Sequence, residues 1–143
     1  MRTLGIALLT ALMAAAFLYS AEVRQDREEN AIRETIQLYF QGDINRDVES
    51  LKKAFHPRAE LLTADAEGRL SVLTQSEWHE RVRQTPERER PTAKILHIDR
   101  AGNAAVAKTQ LIFSQGRFTD FLSLLKLDSR WMIINKIYQW EAD

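Results

Sequence analysis

Asp120 is the side chain whose surroundings call for a chemical role. It stands in the run Phe118-Thr119-Asp120-Phe121-Leu122, where alternate residues share a face if the run is a strand. A carboxylate on a face shared with Phe118, Leu122 and Leu124 needs a partner, because charged groups are rarely buried alone. Two roles fit it: an acid or ligand anchor on a pocket wall, or a structural partner for a backbone amide, Tyr39 or His56. His56, just before Pro57, also has two roles open. It is half of a catalytic dyad with Asp120, or a cap on the last carbonyls of a helix. His79 and His97 stand at no chelating spacing, so no metal site is expected. None of the serines sits in a nucleophile motif, and the five glycines form no phosphate-cradling loop. The chain has no cysteine, which excludes disulfides, zinc-thiolate sites and thiol nucleophiles. Any chemistry is left to carboxylate, imidazole or phenol, and no cofactor is implied.

The 143 residues predict one domain, and 45% hydrophobic with 28% charged residues excludes a disordered chain. Twenty basic residues balance twenty acidic ones; a nucleic-acid partner, which needs a basic field, is not expected. Arg2 followed by the uncharged stretch Leu4–Tyr19 has the pattern of a secretory signal peptide over residues 1–21, with cleavage after Ser20 or Ala21. The alternative is an uncleaved N-terminal anchor, though the stretch is shorter than the roughly twenty residues of a membrane span. The expected location is periplasmic or secreted, with residues 22–143 as the folded domain.

Ile32, Ile36, Tyr39 and Phe40 recur at helical spacing and predict a helix over Glu22–Phe40, ended by Gly42 as C-cap. A second helix fits Val48–Phe55, capped by Asn45 or Asp47 and stopped at Pro57. Short strands follow at Glu60–Thr63 and Arg69–Leu73 around Glu67-Gly68. Thr74-Gln75-Ser76-Glu77 is a capping box that opens a third helix through Trp78 and Val82. Thr85–Pro91, with two prolines and alternating charge, is an exposed loop. Four strands at Lys94–Arg100, Ala104–Phe113, Gly116–Asp128 and Arg130–Trp140 are separated by turn residues and form an antiparallel meander. The class is α+β, with the helices on one face of a sheet.

Several runs carry a resemblance. They are Tyr39-Phe40-Gln41-Gly42-Asp43, Ala54-Phe55-His56-Pro57-Arg58-Ala59, Glu77-Trp78, Ile95-Leu96-His97-Ile98-Asp99, Gly102-Asn103-Ala104, Thr119–Lys126 and Trp131–Lys136. In this order the chain resembles the NTF2-like superfamily, and more closely its bacterial lumazine-binding branch, which overlaps the SnoaL-like group. The resemblance implies a cone of three helices packed on a strongly curved antiparallel sheet, and homodimers. It does not imply one chemistry, because the fold hosts enzymes, transport factors and binding modules. Where ketosteroid isomerases of this superfamily have a carboxylate base, a tyrosine and a protonated aspartic acid, the matching positions fall near Thr63, Thr35 and Ser123. A threonine hydroxyl is too weak a base for a carbon-bound proton, so that isomerase chemistry is not expected.

Two-residue turns at Asp128-Ser129 and Gln115-Gly116 would place Lys126 opposite Trp131, Leu122 opposite Asn135, Asp120 opposite Ile137 and Leu111 opposite Asp120. One face then collects Leu96, Ile98, Ala107, Thr109, Leu111, Phe113, Phe118, Asp120, Leu122, Leu124, Trp131, Ile133, Asn135 and Ile137. It is the expected cavity wall, roofed by the helices that carry Tyr39, Phe55 and Trp78. An apolar cavity with few polar groups is the usual form of a small-molecule site, and Tyr39, Phe55, Trp78, Thr109, Asp120, Trp131 and Asn135 are the candidate ligand contacts. The other face, with Lys108, Gln110, Lys136 and Tyr138, is the candidate homodimer surface. Three functions remain open: a non-catalytic domain for a small, largely apolar or aromatic ligand; an isomerase or dehydratase using Asp120 with His56 or Tyr39; and a homodimerising interaction domain.

Overall fold

The computed structural model describes residues 2–86 and 89–143, and only the backbone of residues 2–12, 14 and 15. Helix α1 spans Arg2–Asn45 and α2 spans Val48–Ala54. Strands β1 (Phe55–Ala64) and β2 (Leu70–Thr74) lead to α3 (Gln75–Gln84), and β3 (Thr92–Ala101), β4 (Ala104–Phe113), β5 (Gly116–Leu127) and β6 (Arg130–Ala142) complete the chain. The six strands form one sheet in the order β2-β1-β6-β5-β4-β3. The helices pack on it as an α+β NTF2-like cone. The sheet is mixed rather than wholly antiparallel, because β1 lies parallel to β6. Register shifts in β1, in β3 and between β5 and β6 bend the strands. Among the described residues, no helix is long and apolar enough to cross a membrane.

Gly42 does not end α1. The helix runs on to Asn45 and closes at Arg46, in the left-handed region at φ 58°, with the Asp47 N–H donating to the Gly42 carbonyl. Gly42 instead permits close approach, since a Cβ there would lie 2.5 Å from the Leu51 side chain. Asp47 is the N-cap of α2, accepting from the Glu49 and Ser50 amides. The chain leaves α2 directly as β1, so Phe55 and His56 are strand residues, and Pro57 lies in the irregular part of the β1–β6 ladder, where no regular N–H is needed. The Thr74–Glu77 capping box is present in full. Glu87 and Arg88 of the expected Thr85–Pro91 loop lie outside the described residues.

The β4–β5 hairpin turns on Ser114-Gln115, with Phe113 facing Gly116, so Thr109 rather than Leu111 faces Asp120. That difference is two residues and leaves the inward face unchanged. The β5–β6 ladder behaves otherwise. Lys126 faces Trp131, but a bulge between Ser123 and Leu124 absorbs one residue of β6, so Leu122 faces Lys136 and Asp120 faces Tyr138. Beyond the bulge, Lys136 and Tyr138 replace Asn135 and Ile137 on the inner side. Lys136 is buried, while Ile137 is half exposed. A similar shift between Ile95 and His97 turns Leu96 outward and keeps Ile95 and Ile98 against the core.

Candidate functional site

Tyr39, Phe55 and Trp78 bring α1, β1 and α3 together. The Phe55 ring meets Tyr39 edge-on at 5.5 Å and Trp78 at 5.0 Å, arrangements that aromatic quadrupoles favour. Beneath this roof Asp120 is wholly buried. Its Oδ2 accepts from the Tyr39 hydroxyl at 2.6 Å and from the Thr109 hydroxyl at 3.4 Å. The Lys136 ammonium donates to the Tyr39 oxygen at 2.8 Å and lies 3.2 Å from Asp120 Oδ1. Oδ1 accepts no hydrogen bond, so the contact with Lys136 is one of charge. The ammonium also stands 4.7 to 5.5 Å from the ring centres of Tyr39, Tyr138 and Trp78, within cation–π range. A buried carboxylate is thus matched by a buried ammonium, which is the condition under which either charge is tolerated away from water.

Lys136 also reaches a cavity of about 280 Å³. Asp43 and Arg46 at the end of α1, Trp78, Arg81 and Val82 on α3, and Thr85 just after it line one side. Leu61, Leu73, Leu111, Phe118, Lys136 and Tyr138 from the sheet line the other. The walls are largely apolar, with three cationic side chains against one carboxylate. Asp120 does not line this space; it holds Lys136 there, directly by charge and through Tyr39. An ammonium has three N–H donors, and this one offers an anionic or strongly accepting oxygen both hydrogen bonding and charge.

Of the residues expected to contact ligand, Trp78 lines the cavity, whereas Tyr39, Phe55, Thr109 and Asp120 stand behind its wall. Trp131 sits elsewhere: its indole N–H donates to Glu28 at 2.9 Å, beside the Lys126 ammonium at 2.6 Å on the same carboxylate. Those two contacts, Lys126 first, hold the Glu28 carboxyl below the usual carboxylate range. Asn135 faces Ser123 and Glu60 in the ladders. His56 joins neither Asp120 nor the end of α2; its Nδ1 accepts the Arg58 backbone N–H at 3.2 Å. Lys136 and Tyr138 leave the candidate dimer surface for the cavity, and Lys108 and Gln110 remain on the outer side. Sequence reasoning missed Lys136, Asp43, Arg46, Arg81 and Tyr138. Lys136 and Tyr138 were hidden by the bulge, and Asp43, Arg46 and Arg81 depend on how the end of α1 and helix α3 meet over the sheet. Among the described residues, no three of His, Cys, Asp and Glu gather at metal-binding range.

An apolar cone closed by a helical roof, with a few polar groups turned into it, is an architecture of ligand-binding domains. The chain matches the family described as putative lumazine-binding over residues 27–139 and belongs to it. It is similar to an NTF2-like protein of unknown function from Shewanella baltica OS155, with 29% identity, a TM-score of 0.72, and coverage of 82% of this chain and 96% of that one. An NTF-2 like protein from Silicibacter pomeroyi DSS-3 shares the fold at a TM-score of 0.72 and 19% identity, covering 82% and 98% of the two chains. The aldolase FrzH of Cladobotryum sp is 25% identical over 113 residues, 78% of this chain and 90% of that protein.

Proposed function

We propose that the protein binds a small, largely apolar or aromatic molecule bearing an anionic or strongly accepting oxygen, which Lys136 receives. The observation that carries this is the Lys136 ammonium on the wall of an apolar cavity, held by a carboxylate that itself stays outside. A cavity of about 280 Å³ lies near the small end of ligand sites, which start at roughly 300 Å³, so a ligand of one compact ring system fits better than a steroid. The test is native mass spectrometry of protein purified from its own host, together with thermal unfolding in the presence of aromatic carboxylates. A retained small molecule, or a midpoint raised by such acids in wild type but not in Lys136→Met, is the expected result. No retained mass and no shift with any aromatic acid would overturn it.

A second reading is acid–base or aldol-type catalysis. An aldol step and a ketone isomerisation both place negative charge on an enolate oxygen, and a fixed ammonium in an apolar site stabilises such charge. The aldolase relative and the Lys136 geometry favour this reading, with Asp120 and Tyr39 positioning Lys136 rather than acting on substrate. Conversion of an enolisable ketone or an aldol by the wild-type protein, lost in Lys136→Met, distinguishes catalysis from binding alone.

The reading includes export to the periplasm or exterior, supported by the Leu4–Tyr19 stretch. N-terminal sequencing of protein from that fraction should begin near Ala21 or Glu22; an intact Met1 in the cytoplasm speaks against it. Homodimer formation through the outer sheet face is supported by Phe121 and its cross-strand neighbour Ile137, each about half exposed. Elution at the monomer mass across micromolar concentrations would exclude it.

A further inference from the structure

Helix α3 faces two ways. Trp78 closes the cavity, whereas His79 belongs to a separate pocket of about 470 Å³ between α2, the start of β1 and α3, lined by Lys52, Pro57, Gln75, Ser76, His79 and Arg83. Gln75 and His79 stand four residues apart and so share one face of the helix. They are 6% and 9% exposed. Neither amide atom of Gln75 has a hydrogen-bond partner, and nor does His79 Nε2. Buried polar side chains are otherwise almost always satisfied. Among the described residues the one other such atom is Asp120 Oδ1, which has the Lys136 charge beside it. The two side chains that carry these three orphaned atoms therefore line one pocket.

Two cations line the same pocket. Lys52 pairs with Glu49 and Arg83 with Glu80, all four side chains being at least half exposed. Such surface pairs are weak and exchange readily. Ser76 contributes a hydroxyl near the N-terminus of α3, where the helix dipole favours negative charge. The orphaned set includes both a donor, Gln75 Nε2, and an acceptor, Gln75 Oε1, and an imidazole nitrogen can serve as either.

We propose that this pocket is a second binding site, independent of the cavity, for a small oxyanion that also carries an O–H group, such as hydrogen phosphate or a hydroxy acid. Its charged oxygens accept from Gln75 Nε2, His79, Lys52 and Arg83, and its hydroxyl donates to Gln75 Oε1. Burial and the neighbouring Lys52 and Arg83 charges hold the His79 imidazole below its usual range, with Glu49 opposing them. Those groups, on α2 and α3, are the charges around it, and β1 contributes the uncharged Pro57. An oxyanion seated between the two cations offsets their repulsion and favours the imidazolium.

The test follows the imidazole C–H signals of the full chain by NMR through a pH titration at constant ionic strength, with and without millimolar inorganic phosphate. His79 is expected to titrate higher by about half a unit or more with phosphate, while His56 and His97 stay in place. Sulfate, which lacks the O–H, is expected to shift it less, and glycolate is compared with acetate in the same way. A response to phosphate alone assigns the site to phosphate, and one to glycolate alone assigns it to hydroxy acids. If all three histidines move together, none moves, or sulfate matches phosphate, the proposal is overturned. Gln75→Met removes both orphaned amide atoms at similar length. It is expected to raise the thermal midpoint in oxyanion-free buffer and to abolish most of the His79 shift; a full shift in a folded Gln75→Met protein also overturns the proposal.

Discussion

The Lys136 ammonium lies 3.2 Å from Asp120 Oδ1, and the Tyr39 hydroxyl bridges the two, accepting from Lys136 at 2.8 Å and donating to Asp120 at 2.6 Å. The pair is buried on both sides, with side-chain exposures of 8% and 0%. Charges taken this far from water are stable only together.

Removing one partner leaves the other charge uncompensated. Asp120→Leu and Lys136→Met are each expected to lose about 3–5 kcal/mol of unfolding free energy. The double variant is expected to lose far less than the sum, because two apolar groups can replace a buried pair. Urea unfolding of the four proteins measures the coupling, and additive losses would show that the charges do not interact.

Tyr39→Phe keeps the ring against Phe55 and Trp78 and removes the bridge. The expected loss is about 1–3 kcal/mol, the penalty for leaving buried partners short of a hydrogen bond. Ligand affinity in the cavity should fall as well, since Lys136 loses its orienting acceptor. Unchanged stability and affinity would show the bridge to be idle.

Gly42→Ala sets two effects against each other. Alanine favours a helix over glycine by about 1 kcal/mol, but the new Cβ would lie 2.5 Å from Leu51 Cδ2 and 2.9 Å from the Leu51 backbone nitrogen. The side chain can swing, and the backbone of α2 cannot. A net loss of about 1–2 kcal/mol is expected in thermal unfolding; a gain would mean that α2 shifts freely.

Glu28 joins α1 to β6 and β5 through Trp131 and Lys126. Its carboxyl is held lower in the folded chain than in the unfolded one, so folding favours the ionised form. That contribution is complete above the ordinary carboxylate range and disappears as pH falls through the depressed folded value. In Glu28→Gln the acid limb of the stability–pH curve should flatten, and Trp131 fluorescence should change at neutral pH. A curve parallel to wild type would contradict the assignment.

The local signals were legible in the sequence. Thr74 and Glu77 specify the start of α3 within four residues, and Asp128-Ser129 supplies the two positive φ angles of a tight hairpin. The parallel pairing of β1 with β6 was not, because it joins segments far apart in the chain with no turn to fix it. The inward position of Asp120 was legible from alternation, and the two-residue difference at Ser114-Gln115 did not disturb it. Lys136 was not, because a bulge among Ile133, Ile134 and Asn135 has no glycine or proline to mark it. A single residue there reverses every side chain beyond.

Strand β6 therefore carries one residue more than β5 between Leu124 and Ser123, and the phase of the strand beyond that point decides what the cavity wall presents. Loss of one codon beside Ile134 would straighten the ladder and leave Lys136 facing Leu122. Gain of one codon beyond it would turn Lys136 to solvent and bring Ile137 onto the wall, converting a charged receptor into a greasy one. What this wall presents is therefore set by the phase of β6 as much as by its composition, and one inserted residue changes it with no substitution anywhere in the strand.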